Sequence, residues 1–419
     1  MISKFLLFPY YLTLKIRNHL YDTGKLKSTK YDIPVLSVGN IAAGGTGKTP
    51  MVELMLKILS EKSKVAVLSR GYKRKSKGFR LVNCDDSAEI VGDEPLQIKR
   101  KFPQAIVAVD IERTNAIEQL LSLNQSERPD IILLDDAMQY RKLIPSETFA
   151  LVDYNRPLFK DELLPIGRLR DIPDQIRRAE TVILTKSPEY LNEWEIGRAR
   201  QANRLRPEQN LYFTKLHYCT PKAVFEGIGD NRYIYSKEVF LFSGIADDKL
   251  ILLHLSEKYE WIAHKRFSDH HSFTKHDINS LRRFAQKHPR TLLLTTEKDA
   301  QRLLHRDDLG DDVKKRLFYL PVETEFLTWD EYFRFQKALL EYVPAKAAEP
   351  QEEENIKNIT NGLLENFYPY LIVKKGTGDG AKRKPGASER GETGLSQTYG
   401  TCKRRSALLI TSLSVNLFS

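Results

Sequence analysis

Cysteine is scarce in this chain: Cys84, Cys219 and Cys402 are three in 419 residues. They stand too far apart for metal-ligand spacing and are too few for a disulfide framework, so a fold held by zinc or by bridges is excluded and a reducing cytosolic compartment is expected. Long apolar runs are missing as well. No stretch of about 18 apolar residues exists, which rules out a membrane-spanning helix. The opening residues lack the small-residue cleavage site of a secretory signal. There is no internal repeat, which excludes a solenoid. Acidic charge is in deficit, giving a formal net charge of +11. Residues 366–419 hold +6 of this (nine Lys/Arg against three Asp/Glu), so the other 365 residues are only mildly basic. That balance suits an anionic ligand or a membrane surface, and no nucleic-acid partner is expected.

What is present is a chain long enough for two or three domains, with 41% hydrophobic and 29% charged residues, the composition of an ordinary globular protein. One stretch organises it. Residues 33–38 are an apolar run that reads as a buried strand, and residues 50–59 carry a helical pattern. Between them lies Gly44-Gly45-Thr46-Gly47-Lys48-Thr49. Strand, glycine-rich loop and helix in that order form a phosphate-binding loop. Its glycines let backbone N–H groups close around phosphate oxygens, and the helix N-terminus adds partial positive charge. Lys48 reaches the β- and γ-phosphates, and Thr49 can ligate Mg²⁺. Ala42 stands where the strict pattern has its first glycine.

The second strong signal is Ile131-Ile132-Leu133-Leu134-Asp135-Asp136. A buried run ending in two carboxylates delivers them to the carboxyl end of a parallel strand, beside the phosphate loop, where Mg²⁺ is held. Further strands are expected at residues 64–69, 104–109, 148–153 and 181–185, with helices at 112–122 and 193–204. Between the last two strands, Arg168 and Arg170 sit in a Pro/Gly-rich loop suited to bidentate phosphate binding. Another basic loop, residues 73–77, follows Ser69-Arg70-Gly71-Tyr72.

Residues 211–218 and 222–226 are expected to pair as short strands and mark a boundary. A second α/β unit then alternates strands at 239–242, 261–267, 291–295 and 318–322 with helices at 247–257, 275–287 and 328–342. Such alternation implies parallel sheets covered by helices on both faces. Within this unit, Asp269-His270-His271 precedes a helix and is a candidate acid–base or orienting group. Beyond residue 343 the sequence turns polar and then rich in Gly, Ser and Lys, reading as disordered. At the other end, Phe5, Phe8, Tyr10, Tyr11, Leu12, Leu14 and Ile16 interleave with Lys4, Lys15 and Arg17. This pattern fits either an interfacial membrane helix or a helix docked on the protein's own core.

Taken in order, several motifs resemble the tetraacyldisaccharide 4′-kinases of lipid A synthesis. They are Val38-Gly39-Asn40 with Gly44 to Pro50, Ser69-Arg70-Gly71-Tyr72, Gly92-Asp93-Glu94-Pro95, Asp135-Asp136 with Gln139, Leu164-Pro165 through Leu169-Arg170, Asp269-His270-His271 and Thr296-Glu297-Lys298-Asp299. The resemblance implies an ATP- and Mg²⁺-dependent kinase acting on the 4′-hydroxyl of a tetraacyldisaccharide 1-phosphate, a lipid A precursor. It implies a peripheral enzyme on the cytoplasmic face of a Gram-negative inner membrane, and so favours the interfacial reading of the first helix.

The fold expected is α/β: a P-loop NTPase-like, mostly parallel sheet flanked by helices, a second smaller α/β domain and a disordered C-terminal tail. The domains fall at residues 1–24 (interfacial helix), 25–217 (kinase), 218–343 (smaller domain closing over the site) and 344–419 (basic tail). Carried over onto matching positions, Gly44, Gly45, Thr46, Gly47, Lys48 and Thr49 bind nucleotide, while Thr49, Asp135 and Asp136 hold the metal. Asp93 activates the acceptor hydroxyl and His270 pairs with it, a tuned carboxylate acting on a poorly acidic alcohol. Arg113 and Gln139 line that site, and Arg70, Tyr72 and Arg170 meet the substrate. Ala137 and Tyr140 depart from the family's usual Gly and His, and Asp171 from its Glu. The alternative is a GTP-dependent switch or metallochaperone, but Thr185-Lys186 is followed by Ser187-Pro188 and lacks the Asp that reads guanine.

Overall fold

The computed structural model describes residues 2–344. Residues 345–419, with Cys402 and nearly all of the tail expected to be disordered, lie outside the described residues. The chain opens with α1 (Ile2–Asp22) and enters a first sheet at β1 (Val35–Gly39). It continues through α2 (Lys48–Ser60), β2 (Val65–Ser69), β3 (Arg80–Leu81), α3 (Ala88–Val91), α4 (Asp93–Lys101) and β4 (Ile106–Val109). Then come α5 (Arg113–Leu121), β5 (Ile131–Asp135), β6 (Glu147–Asp153), β7 (Thr181–Thr185), α6 (Glu193–Ala202) and β8 (Asn210–Tyr218). A second sheet is built from β9 (Lys222–Ala223), β10 (Glu238–Ser243), α7 (Lys249–Ser256), β11 (Trp261–Arg266), α8 (Lys275–Lys287), β12 (Leu292–Thr296), α9 (Glu297–Leu303), α10 (Asp311–Arg316) and β13 (Leu317–Leu320). The described chain closes with β14 (Val322–Phe326) and α11 (Trp329–Leu340).

The first sheet has nine strands in the order β14-β8-β7-β6-β1-β5-β2-β4-β3. Its interior is parallel and only the edge strands β14 and β3 run antiparallel. Helices cover both faces, which is why β1, β2, β5 and β7 are buried at every residue and read as continuous apolar runs rather than alternating ones. Met51, Met55 and Leu59 of α2 and Phe335 and Leu339 of α11 pack one face with Leu36, Val67 and Leu133. Ala116, Ile117 and Leu120 of α5 pack the other with Ala66, Leu68 and Leu134. Leu56 and Leu59 are fully buried, and truncating either to Ala would cost about 2–5 kcal/mol. The five-stranded second sheet, β11-β10-β12-β13-β9, is parallel except for β9.

Two expectations about connectivity give way. Residues 211–218 and 222–226 do not pair with each other: β8 adds to the first sheet and β9 to the second. The second unit also does not run to residue 343. The apolar run expected at 318–322 breaks at Pro321 into β13 and β14, and β14 returns to pair antiparallel with β8. Proline donates no ladder hydrogen bond and so marks the crossing. α11 then packs against α2 in the first core.

Candidate active site

β1 lies between β6 and β5, where successive connections leave in opposite directions. Ligands of such sheets bind at the carboxyl ends of the strands beside that reversal. The loop leaving β1 reaches α2 through Gly47 at φ 79°, a left-handed turn that suits glycine and points the start of α2 at the loop. Thr46 is buried. Its hydroxyl accepts from Asn40 Nδ2 (2.6 Å) and its carbonyl accepts from the Thr185 hydroxyl (3.0 Å). Thr46 therefore holds the loop from behind, which leaves Lys48, Thr49 and the backbone of Gly44, Gly45 and Gly47 as the groups a triphosphate would meet.

One strand over, Asp135 and Asp136 emerge at the end of β5. Asp135 is buried and accepts from the Ser69 hydroxyl at 3.1 Å; burial and the adjacent Asp136 charge push its carboxyl up. Asp136 takes a left-handed backbone, φ 53°. Arg170 grips it with both terminal nitrogens, at 2.8 and 2.6 Å, and Lys48 Nζ lies 3.7 Å away. Burial works against ionisation of Asp136, but Lys48 and Arg170 hold it at about 2. Arg170, expected on the substrate side, pairs with Asp136, one of the two carboxylates expected at the metal, and it also donates to the Asn40 carbonyl at 3.0 Å. Two carboxylates and the Thr49 hydroxyl are hard oxygen donors of the kind Mg²⁺ takes, and a dication would offset the charge crowding that raises Asp135.

Gln139 donates to the Asn40 carbonyl at 2.7 Å. Arg113 is buried with its guanidinium 5.4 Å from the centre of the Tyr140 ring; burial and the like charge of Arg70 lower its pKa. Tyr140, the residue in place of a family histidine, uses its hydroxyl on Glu112 (3.1 Å). Arg70 itself is exposed.

The acceptor-side candidates come from distant parts of the chain. Gly71 and Gly92 pack so closely that a Cβ on Gly92 would sit 3.1 Å from Gly71 Cα, and one on Gly71 would meet the Val91 carbonyl at 2.8 Å. That contact explains a glycine in both the Ser-Arg-Gly-Tyr and the Gly-Asp-Glu-Pro motif, and it seats Asp93 and Glu94 in the first turn of α4. Carboxylates there face the positive end of the helix. From the second sheet, His270 enters on a loop with φ 57°, its N–H donating to the Gly244 carbonyl at 3.2 Å. Its Nδ1 lies 3.1 Å from Asp93 Oδ2, and its ring is 4.9 Å from that of Tyr72. His271 turns away instead, to Asp277 at 3.0 Å and between Phe267 and Phe273.

Two residues without an assigned role complete this cluster. Arg302 donates to Asp93 Oδ2 and, at 2.7 Å, to Asp299; Lys298 Nζ lies 2.8 Å from Glu94 and 3.0 Å from His270 Nε2. They are four apart on α9, hence on one face of it, a spacing visible in the sequence once the helix is placed. Burial pushes the Asp93 carboxyl up, but the hydrogen bond with His270 and the charge of Lys298 outweigh it and hold Asp93 well below the usual range. Glu94 moves the other way, pushed up to about 7 by burial and by its neighbour Asp93. Asp93, Glu94 and His270 offer three donor atoms within 4.8 Å of one another, but the Lys298 ammonium already supplies positive charge there. The α4–α9 seam continues with Lys101 on Glu53 (2.6 Å) and Glu297 (3.6 Å) and Arg100 on Gln301 (2.8 Å).

α1 is tied to the same region. Tyr10 donates to the Arg170 carbonyl (3.2 Å), Arg17 to the Gln139 carbonyl (2.9 Å) and Asn18 to Asp171 (2.8 Å). Leu7 and Leu14 join the core while Phe8, Tyr11, Leu12 and Ile16 face outward, so the docked reading holds for one face and leaves an apolar stripe on the other. No described helix is long and apolar enough to cross a membrane.

Residues 4–342 match the family described as Tetraacyldisaccharide-1-P 4′-kinase. The chain belongs to this family. Among relatives named Tetraacyldisaccharide 4′-kinase, that of Phocaeicola vulgatus is 40% identical over 333 residues, covering 78% of this chain and 91% of the relative. That of Flavobacterium johnsoniae is 39% identical, covering 81% and 96%. The crystal structure of LpxK from Aquifex aeolicus in complex with ATP superposes with a TM-score of 0.62 at 27% identity, over 82% of this chain and all of that one. A 4′-kinase family and an ATP-bound neighbour agree with the α/β fold and the phosphate loop described above.

Proposed function

We propose that this chain transfers the γ-phosphoryl group of ATP to the 4′-hydroxyl of a tetraacyldisaccharide 1-phosphate, working at a membrane surface with Mg²⁺ bound at Thr49, Asp135 and Asp136. The observation that carries the reading is the Asp93–His270 contact. The two residues, 177 apart in the chain, meet where the start of α4 faces the loop that follows β11. Phosphoryl transfer asks mainly for positioning and charge neutralisation. The loop and Lys48 hold the triphosphate, and Arg113 and Arg170 add positive charge beside it. Mg²⁺, when bound, neutralises charge on the β- and γ-phosphate oxygens. The acceptor oxygen bonds to the γ-phosphorus as the bond to the β-phosphate oxygen breaks, and the hydroxyl proton passes to Asp93. A carboxylate held well below its usual pKa is a weak base. It serves because the proton leaves an oxygen whose acidity rises as the new bond forms.

The outward apolar stripe of α1 supports attachment to the membrane that holds a lipid acceptor. The test is transfer of labelled phosphate from ATP to the tetraacyl disaccharide 1-phosphate in detergent. The wild-type chain gives the 4′-phosphorylated product, and Lys48→Ala removes it together with ATP binding. A folded wild-type protein that makes no product, or a Lys48→Ala variant that keeps turnover and nucleotide affinity, overturns the reading.

A further inference from the structure

We propose that Lys298 is a positioning residue that fixes His270 as the Nδ1–H tautomer, the form that donates to Asp93. The inference rests on the reading of Asp93 and His270 as the acceptor-side pair. A lysine ammonium has three N–H groups and no lone pair. At 3.0 Å from Lys298 Nζ, His270 Nε2 is the accepting atom, since two donors cannot share one contact. The single ring proton of the neutral imidazole then sits on Nδ1, which faces Asp93 Oδ2 at 3.1 Å.

The other groups around the ring agree. Glu94 Oε1 and Asp269 Oδ2 lie 3.8 and 3.9 Å from Nε2, beyond hydrogen-bond reach, and both carboxylates lie nearer Lys298, at 2.8 and 3.6 Å. A nitrogen of Arg302 is 3.4 Å from Nδ1, but it donates to Asp93 Oδ2. The Tyr72 ring packs beside the imidazole. Lys298 keeps its proton: burial works against the charge, but Glu94, Asp93 and Asp269 outweigh it.

Lys298 thus stands between the imidazole and two carboxylates that would otherwise invite a proton onto Nε2. With Lys298 in place, Nδ1–H and Arg302 both engage Asp93 Oδ2, which leaves Oδ1 for the acceptor hydroxyl. With it gone, the ring is free to turn its proton toward Glu94 and Asp269 and release Asp93. Lys298 and His270 both lie on the second sheet's side of the seam and Asp93 on the first, so the Nδ1–H that Lys298 sets reaches its acceptor only when the two sides meet.

The experiment is histidine-selective ¹⁵N labelling of the full-length protein, with the His270 signals assigned by their loss in His270→Gln. The wild type is expected to show Nδ1 in the protonated and Nε2 in the unprotonated shift range. Lys298→Met is expected to mix or reverse the two and to lower kcat roughly 10²-fold at unchanged KM for ATP. Lys298→Arg, which keeps a charged donor, is expected to restore both the wild-type tautomer and most of kcat. A wild-type spectrum with the proton on Nε2 overturns the proposal, and so does a Lys298→Met spectrum identical to wild type. The wild-type spectrum decides even where Lys298→Met does not fold. It also reads the tautomer whatever acceptor the enzyme phosphorylates, so failure of the functional reading would be seen separately.

Discussion

If Asp93 removes the acceptor proton and His270 acts only through Asp93, then replacing both residues should be little worse than replacing Asp93 alone. The size of each loss follows from the contacts. General-base assistance is worth about 10²–10⁴ in rate, so Asp93→Ala should lower kcat by that factor. His270 contributes one charge-assisted hydrogen bond, at 3.1 Å, to a carboxylate that is almost fully buried. Such a bond is worth about 1.5–3 kcal/mol, or roughly 10- to 10²-fold in rate. Summed independently, the double variant would lose both factors. Acting as a unit, it should fall short of that sum by about the whole hydrogen-bond contribution. The assay is single-turnover transfer of labelled phosphate at saturating ATP and lipid. Asp93→Ala leaves Arg302 with Asp299 as its remaining carboxylate partner inside the seam, so Asp93→Asn, which keeps the shape, belongs in the same series. Losses that multiply fully in both series would refute coupling of the pair.

Other outcomes follow from the same geometry. Asp136 is held at about 2 against an ordinary value of 3.8, and a carboxyl with a depressed folded-state pKa stabilises the protein above its unfolded pKa and loses that contribution as pH falls. Asp136→Asn should therefore cost roughly 2 kcal/mol near neutral pH, in denaturant titrations without nucleotide, and the difference should shrink as pH drops from about 4 to about 2. A difference that stays constant with pH would show that Lys48 and Arg170 do not set this carboxyl. Deleting residues 2–22 should release the protein from anionic vesicles; sedimentation equal to wild type would remove α1 from the membrane reading. Replacing Arg17 and Asn18 with Ala should loosen α1 from the Gln139 carbonyl and Asp171, lowering kcat while vesicle binding persists. Lost binding with intact kcat would reverse those roles.

Much of this protein is local and therefore legible in its sequence. A glycine-rich turn between an apolar run and a helical pattern points to a phosphate-binding loop, and an apolar run ending in Asp135-Asp136 points to carboxylates at a strand end, because strand and helix periodicity act over a few residues. The helices expected at residues 193–204 and 275–287 form as well, and the structure shows each opened by a capping box, Asn192 with Glu195 and Thr274 with Asp277. What periodicity could not show is which strands become neighbours. The pairing of β14 with β8, and so the return of the chain to its first sheet after Pro321, depends on burial summed across distant segments. The same holds at the site. The motifs with Asp93 and with His270 each stand out in the sequence, but their contact and the clasp of Lys298 and Arg302 around them exist only once the two sheets pack, and the seat of Arg170 on Asp136 only once the end of β5 meets the β6–β7 connection within the first sheet. These are charge–charge contacts between groups far apart in the chain, and a linear pattern carries no distance between them.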